Sequence, residues 1–250
     1  DVISFQQTRG DFGPNLSLVD PVGQVYIAGQ SVTQNLSVAP ERYLRRTPAG
    51  RHLEVRTHLL AEGGHVRTFT DVTERHAHQQ HMEYLASHDG LTGLLNRSKF
   101  MECMAAEVAL ARRMQSRFAL LYLDLDGFKP INDTHGHAAG DQVLVHVART
   151  QRHVARASDF VARLGGDEFA VLLRGIDRRE QALVLGQRLS GVLAQPWQIQ
   201  AQEQALSVCI GASIGLAMYP EHGEDPEALL ASADRAMYLS KTGQRAGSLA

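Results

Sequence analysis

The sequence predicts an α/β protein of the α+β type, in which a central, mostly antiparallel sheet is covered by helices. Three observations predict this fold class. Apolar runs of strand length alternate with longer segments of helical periodicity over residues 97–241. Two of the apolar runs, 160–164 and 169–173, are separated only by a short glycine-containing segment, as in a hairpin. The N-terminal part has few long apolar runs and several turn signals, which indicates a separate unit of short strands.

A hairpin is predicted near the end of this N-terminal part. Residues 52–60 alternate between apolar and polar side chains, Gly63 and Gly64 mark a turn, and residues 65–75 continue as the next strand. The end of this hairpin, Asp-Val-Thr-Glu-Arg, resembles the point at which the last strand of a PAS sensor domain runs into Asp-x-Thr-Glu-Arg. Because the resemblance covers only the second half of such a domain, it implies that residues 1–73 are a partial PAS-like sensor segment.

A helical linker is predicted over residues 74–87. Met82 and Leu85 form a short apolar stripe, whereas the other faces of the helix are polar. Such a helix either pairs with a second copy as a coiled coil or serves as a spacer, and one short stripe leaves both interpretations open. We interpret the histidines of this region as a solvated helix face, because no carboxylate–histidine zinc signature accompanies them. They are His76, His78, His81 and His88.

The remaining residues, 88–250, are predicted to form one domain of alternating helices and strands. Apolar positions with helical spacing predict helices near 97–114, 140–154, 178–194 and 226–241. Shorter apolar runs predict strands near 118–124, 160–165, 168–174 and 206–218, the last of them being the longest. This order of elements suits a mostly antiparallel sheet with helices packed on it.

Two glycines and two acids interrupt the predicted hairpin of this domain. We expect Gly165 and Gly166 to form its turn, where glycine lets the backbone take a positive φ and lets a ligand approach closely. Asp167 and Glu168 follow at the mouth of the hairpin, on opposite sides if strand geometry holds. Taken alone, this segment predicts equally well a solvated turn or a site for a metal ion or phosphate.

A second acidic strand end favours the site. The apolar run 118–123 ends in Asp124 and Asp126, and carboxylates that follow a buried strand commonly line a ligand crevice. Polar residues then crowd the segment as far as Asp141, where the next helical pattern begins. Asp141 could serve as an N-cap of that helix, but caps and turns do not easily account for the whole segment.

Four motifs, in order and correctly spaced, make the chain resemble the GGDEF-domain family of diguanylate cyclases over residues 84–245. The opening motif is Asp-Gly-Leu-Thr-Gly-Leu-Leu-Asn-Arg at 89–97, and the segment from Asp124 to Asp141 is the second. The Gly-Gly-Asp-Glu-Phe motif at 165–169 is the third, and the closing helix at 233–241 is the fourth. The resemblance implies a palm-like nucleotidyl cyclase fold that condenses two GTP molecules into cyclic di-GMP and releases pyrophosphate.

The resemblance also implies a metal site. Asp124 and Asp167 would bind Mg²⁺ through their carboxylates and Leu125 through its main-chain carbonyl, with Mn²⁺ as the alternative ion. Hard oxygen ligands of this kind suit magnesium. Glu168 would lie beside the ion, either as a further ligand or as the group that deprotonates the attacking 3′-hydroxyl. Asp126 is interpreted as mostly structural.

GTP binding is implied by the same resemblance. Asn132 and Asp141 correspond to the pair that binds the guanine edge, where a carboxylate accepts from N1–H and the 2-amino group. Phe128 and Lys129 would offer backbone N–H groups to the β- and γ-phosphates, since phosphoryl transfer depends mainly on positioning and charge neutralisation.

The closing helix would add positive charge through Lys241 and Arg245. The family pattern there is Lys-x-x-Gly-Arg-Asn, whereas this chain has Lys-Thr-Gly-Gln-Arg-Ala. The glycine comes one place early and the asparagine is absent. Arg245 keeps its spacing, and the resemblance implies that it contacts phosphate.

A product-binding site is implied just before the hairpin. Arg156 and Asp159 stand at the spacing of the family's Arg-x-x-Asp inhibitory site. There an arginine would bind phosphate or guanine acceptors and the aspartate would accept from guanine. Taken alone, such a pair is usually a solvated surface pair, so the position in the chain carries the assignment.

The sequence favours an enzyme over two other kinds of protein. A GGDEF domain holds one GTP and the reaction needs two, so a homodimer is expected. The first alternative is a regulatory module that binds GTP and controls a cyclic di-GMP phosphodiesterase domain beyond Ala250. The retained carboxylates favour the cyclase, because a binding module could lose them. The second alternative, a sensor that mainly captures ligand in residues 1–73, is weakened because the front of that domain is missing.

Composition bounds the remaining possibilities. The chain has 250 residues and a formal net charge of −2, so we expect no binding of nucleic acid through a basic surface. Cys103 and Cys209 match neither a disulfide framework nor a zinc site, and both are expected to be buried thiols in a reducing cytoplasm. No apolar run is long enough to cross a bilayer. The chain begins at Asp1, so we interpret it as an excerpt whose parent protein could carry a membrane anchor elsewhere.

Overall fold

A computed structural model describes residues 5–10, 13–19, 25–29, 42–59, 65–201 and 204–247. The chain divides into two compact units, Asp1–Glu83 and Tyr84–Ala250. Within the described residues, no helix combines the length and the apolar character needed to cross a membrane.

The first unit contains an antiparallel sheet with the strand order β1-β2-β3-β6-β5-β4. Its strands are β1 Phe5–Gly10, β2 Gly13–Val19, β3 Val25–Gly29, β4 Arg42–Arg46, β5 His52–Leu59 and β6 His65–Asp71. The predicted hairpin is formed by β5 and β6, with Val55 opposite Phe69. Its predicted turn at Gly63 and Gly64 lies outside the described residues.

The last strand of this sheet leads directly into a helix, α1, Thr73–Ser87. Asp71 accepts hydrogen bonds from the backbone N–H of Thr73 at 3.0 Å and from its hydroxyl at 2.6 Å. The Thr73 hydroxyl in turn accepts from the N–H of His52 at 2.9 Å, which fixes the start of the helix on β5. No residue of α1 is buried, and the predicted apolar stripe of Met82 and Leu85 is exposed.

The second unit is a four-stranded antiparallel sheet with helices on both faces. Its helices are α2 Arg97–Met114, α3 Phe128–His135, α4 His137–Val154, α5 Arg179–Leu193 and α6 Pro226–Gly247. Its strands are β7 Phe118–Asp126, β8 Phe160–Gly165, β9 Glu168–Leu173, β10 Trp197–Ala201, β11 Gln204–Val208 and β12 Gly211–Tyr219. The order in the main sheet is β12-β7-β9-β8, and β10 and β11 form a separate two-stranded sheet. The predicted α+β class is confirmed.

Strand β7 divides the hydrophobic core of this unit in two. Its odd-numbered residues from 119 to 125 pack with α4 and α5, and its even-numbered residues from 118 to 122 pack with α2 and α6. This alternation is the period-2 pattern of a strand that is buried on both faces. It also determines the face on which the polar residues at the end of β7 lie.

One predicted strand and the expectation for the cysteines are wrong. The single strand expected over 206–218 is two strands, β11 and β12, which belong to different sheets. Apolar residues continue from Val208 through Cys209 and Ile210 into β12, so the sequence does not reveal the change of pairing partner. Cys209 lies between them and is exposed, whereas Cys103 on α2 is half-buried, so the expectation of two buried thiols is also wrong.

Two short elements were not predicted. Among the residues whose burial is described, Ile199 is the buried residue of strand β10 and Phe128 is that of helix α3. The alternation of Trp197, Ile199 and Ala201 is a strand signal that the prediction did not use, whereas α3 is short and has two apolar residues, Phe128 and Ile131. Helix α4 begins at His137 rather than near 140, so Asp141 lies inside the helix and is not its N-cap.

Candidate active site

The glycine hairpin connects β8 and β9 one residue later than the sequence predicts. Gly165 is paired with Glu168, and the turn residues are Gly166 and Asp167 rather than Gly165 and Gly166. The register shifts between Arg163 and Gly165, as in a β-bulge, which inserts one residue into a strand. Gly166 has φ +51°, a conformation that glycine adopts readily. Asp167 is therefore a turn residue, and Glu168 is the first residue of β9.

Strand register brings Asp124 and Glu168 together. The two residues are opposite each other in the β7–β9 pair, so their side chains lie on the same face of the sheet. Tyr122, two residues before Asp124, shares that face, and its hydroxyl is hydrogen-bonded to Glu168. Burial, followed by the charge of Glu168, raises the pKa of Tyr122 far above its ordinary value. The phenol therefore stays protonated and donates to the Glu168 carboxylate.

The Asp167 turn lies beside the end of β7. The backbone N–H of Leu125 donates to the carbonyl of Asp167 at 3.3 Å. In an antiparallel pair, the N–H and C=O of one residue point to the same neighbour, so the Leu125 carbonyl also faces the turn. The Asp124 carboxylate, the Leu125 carbonyl and Asp167 are thus gathered at one end of two strands. Carboxylate and carbonyl oxygens are the ligand types that magnesium prefers, but the described residues contain no group of three or more His, Cys, Asp or Glu side chains placed to hold a metal ion.

The closing helix contributes a cation to the same place. The Lys241 ammonium on α6 contacts Oδ1 of Asp124, and both side chains are largely shielded from water. The carboxylate end of β7 therefore accommodates positive charge. Asp126 is engaged elsewhere, because its two carboxylate oxygens accept from the buried hydroxyl of Ser213 at 2.9 and 3.0 Å. The side chain of Arg245 lies outside the part of the chain that the structure describes.

Helices α3 and α4 bring Asn132 against Gly140, the residue before Asp141. A Cβ atom built on Gly140 would lie only 1.9 Å from Oδ1 of Asn132, so the Asn132 amide rests directly on the Gly140 backbone. Asp141 follows and is exposed. Phe128 and Lys129 are the first two residues of α3, where backbone N–H groups lack partners within the helix. A helix N-terminus of this kind suits an anionic group.

The predicted product-binding residues lie at a separate cavity. Both carboxylate oxygens of Asp159 accept backbone hydrogen bonds, from Arg156 at 2.8 Å and from Arg174 at 3.2 Å. The side chain of Arg156 is exposed, and it lines a cavity of about 240 Å³ together with Asp159 and Arg188. Arg188 comes from the exposed face of α5, so nothing in its local sequence connects it with this site.

Sequence reasoning also assigned no role to Tyr122. Its place two residues before Asp124 is a signal that could have been used, because alternate residues of a strand share one face. The contact with Glu168 depends in addition on the β7–β9 register, which the sequence does not specify.

Comparison with known proteins shows the family to which the chain is similar. Residues 86–246 match the family model described as diguanylate cyclase, GGDEF domain, and residues 1–80 match the PAS fold model. An uncharacterized signaling protein of Caulobacter vibrioides is 38% identical over 233 residues, which are 89% of this chain and 28% of that protein. The diguanylate cyclase TpbB of Pseudomonas aeruginosa is 42% identical over 169 residues, or 68% of this chain and 37% of TpbB.

Solved structures show the same similarity. The GGDEF domain of TpbB from Pseudomonas aeruginosa has a TM-score of 0.59 at 43% identity, covering 62% of this chain and 89% of that one. The coiled coil and GGDEF domain of DgcB from Caulobacter crescentus, in complex with c-di-GMP, has a TM-score of 0.62 at 30% identity, covering 69% and 89%.

The chain spans only 28% and 37% of the length of the two curated relatives described above. Within that span, the matched family model covers the whole of the sheet that holds Asp124, Asp167 and Glu168. The chain therefore belongs to the GGDEF family of diguanylate cyclases, with a PAS fold preceding its GGDEF domain.

Proposed function

We propose that this chain is a diguanylate cyclase, which condenses two GTP molecules into cyclic di-GMP and releases two pyrophosphates. The observation that carries the proposal is the pairing of Asp124 with Glu168 across β7 and β9, with the Asp167 turn against Leu125. Within the described residues these acids do not form a preformed cluster of metal ligands, and Lys241 is the cation that contacts Asp124, so a metal ion would bind there together with the substrate. Family membership identifies the reaction to which such a site belongs.

Mg²⁺ is the proposed metal, with Mn²⁺ as the alternative. Asp124 and Asp167 would hold it through their carboxylates and Leu125 through its carbonyl. When bound, the ion neutralises charge on the triphosphate. Lys241 adds a positive charge at Asp124, and we propose that this charge would face the substrate phosphates. Residues 74–87 connect this domain, 88–250, to the sensor segment 1–73 in the proposed organisation.

GTP is the proposed substrate because the guanine and phosphate groups each have partners nearby. Asn132 and Asp141 would bind the guanine edge, with Gly140 making room for the Asn132 amide. The first N–H groups of α3, from Phe128 and Lys129, would receive the β- and γ-phosphates. Gly165 and Gly166 leave the hairpin free of side chains where the triphosphate would pass, and Arg245 would follow Lys241 on α6.

Glu168 has two roles open to it, as a further metal ligand or as the base for the attacking 3′-hydroxyl. In either role its carboxylate must be ionised and correctly oriented. The Tyr122 hydroxyl stabilises such an orientation, because it donates to Glu168 from the buried side of the sheet. A base would take the hydroxyl proton as the oxygen attacks the α-phosphorus and pyrophosphate leaves.

A homodimer is proposed because the reaction joins two nucleotides, whereas one GGDEF domain offers one guanine-binding pair. The exposed apolar residues Met82, Tyr84 and Leu85 on α1 provide a surface for a second copy. Pairing through these residues would bury apolar area that is otherwise in water. Two half-sites facing each other would then place each 3′-hydroxyl near the α-phosphate of the other GTP.

Feedback inhibition by cyclic di-GMP is proposed at Arg156 and Asp159. The cavity beside them also presents Arg188, so two guanidinium groups surround it. Guanidinium groups bind phosphate and guanine acceptors through paired hydrogen bonds. Solved GGDEF domains with c-di-GMP bound are among the structures similar to this chain.

A regulatory role is the second candidate, because several relatives are named as phosphodiesterases. NbdA of Pseudomonas aeruginosa is 37% identical over 186 residues, and this chain spans 23% of it. In that case the GGDEF domain would bind GTP and control a phosphodiesterase domain beyond Ala250. Asp124, Asp167 and Glu168 favour the cyclase, since GTP binding alone does not require all three.

Incubation of the purified chain with GTP and Mg²⁺, followed by chromatography of the products, tests the proposal. We expect cyclic di-GMP and pyrophosphate from the native chain and neither from Asp167→Ala. Asp177→Ala is the matched control, because Asp177 is exposed and lies outside the site. A folded dimer that binds GTP and yields no cyclic di-GMP would favour the regulatory role instead.

A further inference from the structure

Arg163 makes the contact that holds the turn of the glycine hairpin. Its Nε donates to the carbonyl of Gly166 at 2.9 Å. Its Nη1 donates to both carboxylate oxygens of Asp89, at 3.1 and 3.2 Å. The Arg163 and Asp89 side chains are only 14% and 23% exposed, so water screens this ion pair weakly. The proposed function uses neither residue.

Asp89 is itself held rigidly. One of its carboxylate oxygens accepts from the backbone N–H of Thr92 at 2.8 Å and from the Thr92 hydroxyl at 2.6 Å. Its backbone N–H donates to the carbonyl of Leu94 at 2.8 Å. Burial acts to raise the pKa of Asp89, but the hydrogen bonds from Thr92 and the charge of Arg163 lower it below its ordinary value. The carboxylate is therefore an ionised and immobile anchor.

The segment that carries this anchor is attached both to β8 and to the last turn of α1. The N–H of Leu95 donates to the carbonyl of Val161 at 3.2 Å, and the N–H of Arg163 donates to the carbonyl of Leu95 at 3.0 Å. The Asn96 amide donates to the carbonyl of Leu85 at 3.1 Å. A continuous set of hydrogen bonds thus runs from α1 through Asp89 to Gly166.

The turn has a physical need for such support. Gly166 carries no side chain, and glycine has the largest backbone freedom of any residue. The Gly166 carbonyl belongs to the same peptide unit as the Asp167 N–H, and this unit is planar. Fixing the carbonyl therefore fixes the direction in which the chain enters Asp167.

We propose that Arg163, anchored by Asp89, is a positioning residue of the active site that sets the geometry of the Gly166–Asp167 turn. Arg163 touches neither substrate nor reacting atoms, and it acts through the Gly166 carbonyl. Because Asn96 ties the same segment to Leu85, the end of the linker helix and the catalytic turn are mechanically connected. The expected effect of Arg163 on the reaction rate rests on the proposed function, but its support of the turn can be measured without any catalytic activity.

The test compares Asp89→Asn and Arg163→Met, alone and together, with the native chain of 250 residues. Glu107→Gln is the matched control. Glu107 also accepts a hydrogen bond from an arginine, Arg174, at 2.7 Å, and it is buried. It lies far from the hairpin in the sequence. For each variant, backbone hydrogen exchange of residues 163–169 is measured by mass spectrometry without nucleotide or metal. The melting temperature, the kcat and the KM for GTP are then measured.

We expect the amides of the turn to exchange about tenfold faster in Asp89→Asn, as for the loss of one hydrogen bond to a charged group. The kcat should fall by up to about a hundredfold, the effect of a misplaced catalytic group, with the KM for GTP changed less than about twofold. The double variant should be no slower than Arg163→Met, since the two residues act as one unit. Glu107→Gln should lower the melting temperature and leave the exchange at the turn, the kcat and the KM unchanged.

Either of two results would overturn the inference. In the first, the turn amides of Asp89→Asn exchange hydrogen at the native rate. In the second, Glu107→Gln loses as much kcat as Asp89→Asn. If Arg163→Met does not fold, Asp89→Asn still decides, because it keeps the shape of the side chain. If the native chain makes no cyclic di-GMP, the proposed function fails, whereas the exchange measurement still tests the support of the turn.

Discussion

Replacement of Gly140 by alanine tests the guanine-binding pair without touching either of its members. The added Cβ would lie 1.9 Å from Oδ1, 2.8 Å from Cγ and 3.2 Å from Nδ2 of Asn132. Cβ atoms do not approach other heavy atoms so closely, so the amide must move by roughly 1.5 Å to regain van der Waals contact at about 3.5 Å. The substitution does not destabilise the backbone of α4, because alanine has a higher helix propensity than glycine.

A shift of this size separates the Asn132 amide from the guanine edge. One or two hydrogen bonds to the base would be lost, at about 0.5 to 1.5 kcal/mol each. We therefore expect the KM for GTP to rise by about 2- to 150-fold. The kcat should change much less, since Asp124, Asp167 and Glu168 lie on the sheet and not on α3 or α4. Discrimination between GTP and ATP should fall as well.

Initial rates of pyrophosphate release over a range of GTP concentrations measure this effect. Gly191→Ala is the matched control, because Gly191 lies on α5 and a Cβ there meets nothing within 4 Å. It should leave the KM unchanged and raise the melting temperature slightly. A native KM in Gly140→Ala, with the fold intact, would refute the reasoning that Asn132 binds guanine from its position on Gly140.

Three further predictions follow from contacts at the site. Tyr122→Phe removes the hydrogen bond to Glu168, so kcat should fall by about 3- to 10-fold. Product formation at saturating GTP measures this change, and an unchanged kcat would show that Glu168 needs no such support. The pKa of Asp89 is lower in the folded state than in the unfolded state. The ionised Asp89 carboxylate therefore stabilises the folded protein above the unfolded pKa of about 3.9, and this stabilisation is lost as the pH falls through the folded-state pKa. The difference in melting temperature between native chain and Asp89→Asn should therefore be largest at neutral pH and shrink below about pH 4; a constant difference would contradict the assignment. Arg188→Ala should weaken inhibition by added cyclic di-GMP without changing the initial rate, which a product titration would show.

Much of the fold could be predicted because its signals are local. Helix α2 spans Arg97–Met114, as predicted, and α5 differs from its prediction by one residue at each end. Both helices have apolar positions at helical spacing along their whole length. The strand β7 was also expected, because an unbroken apolar run ends there in acids.

The elements that were missed depend on partners distant in sequence. The division between β11 and β12 follows from which strand each one pairs with, and not from a change in their residues. The displaced turn results from a bulge in β8. The glycines allow such a bulge, but they do not determine at which residue it lies. In both cases the side-chain pattern is compatible with more than one register.

The sequence by itself determined the membership of the GGDEF family, the positions of the long helices α2 and α5 and the identity of the acids, because motifs and periodicity are properties of neighbouring residues. Only the tertiary structure decided that Asp124 faces Glu168, that Tyr122 donates to Glu168, and that Arg163 joins Asp89 to the catalytic turn. These contacts connect residues far apart in the chain, and strand register sets them. A shift of one residue in register would place the same side chains on opposite faces of the sheet.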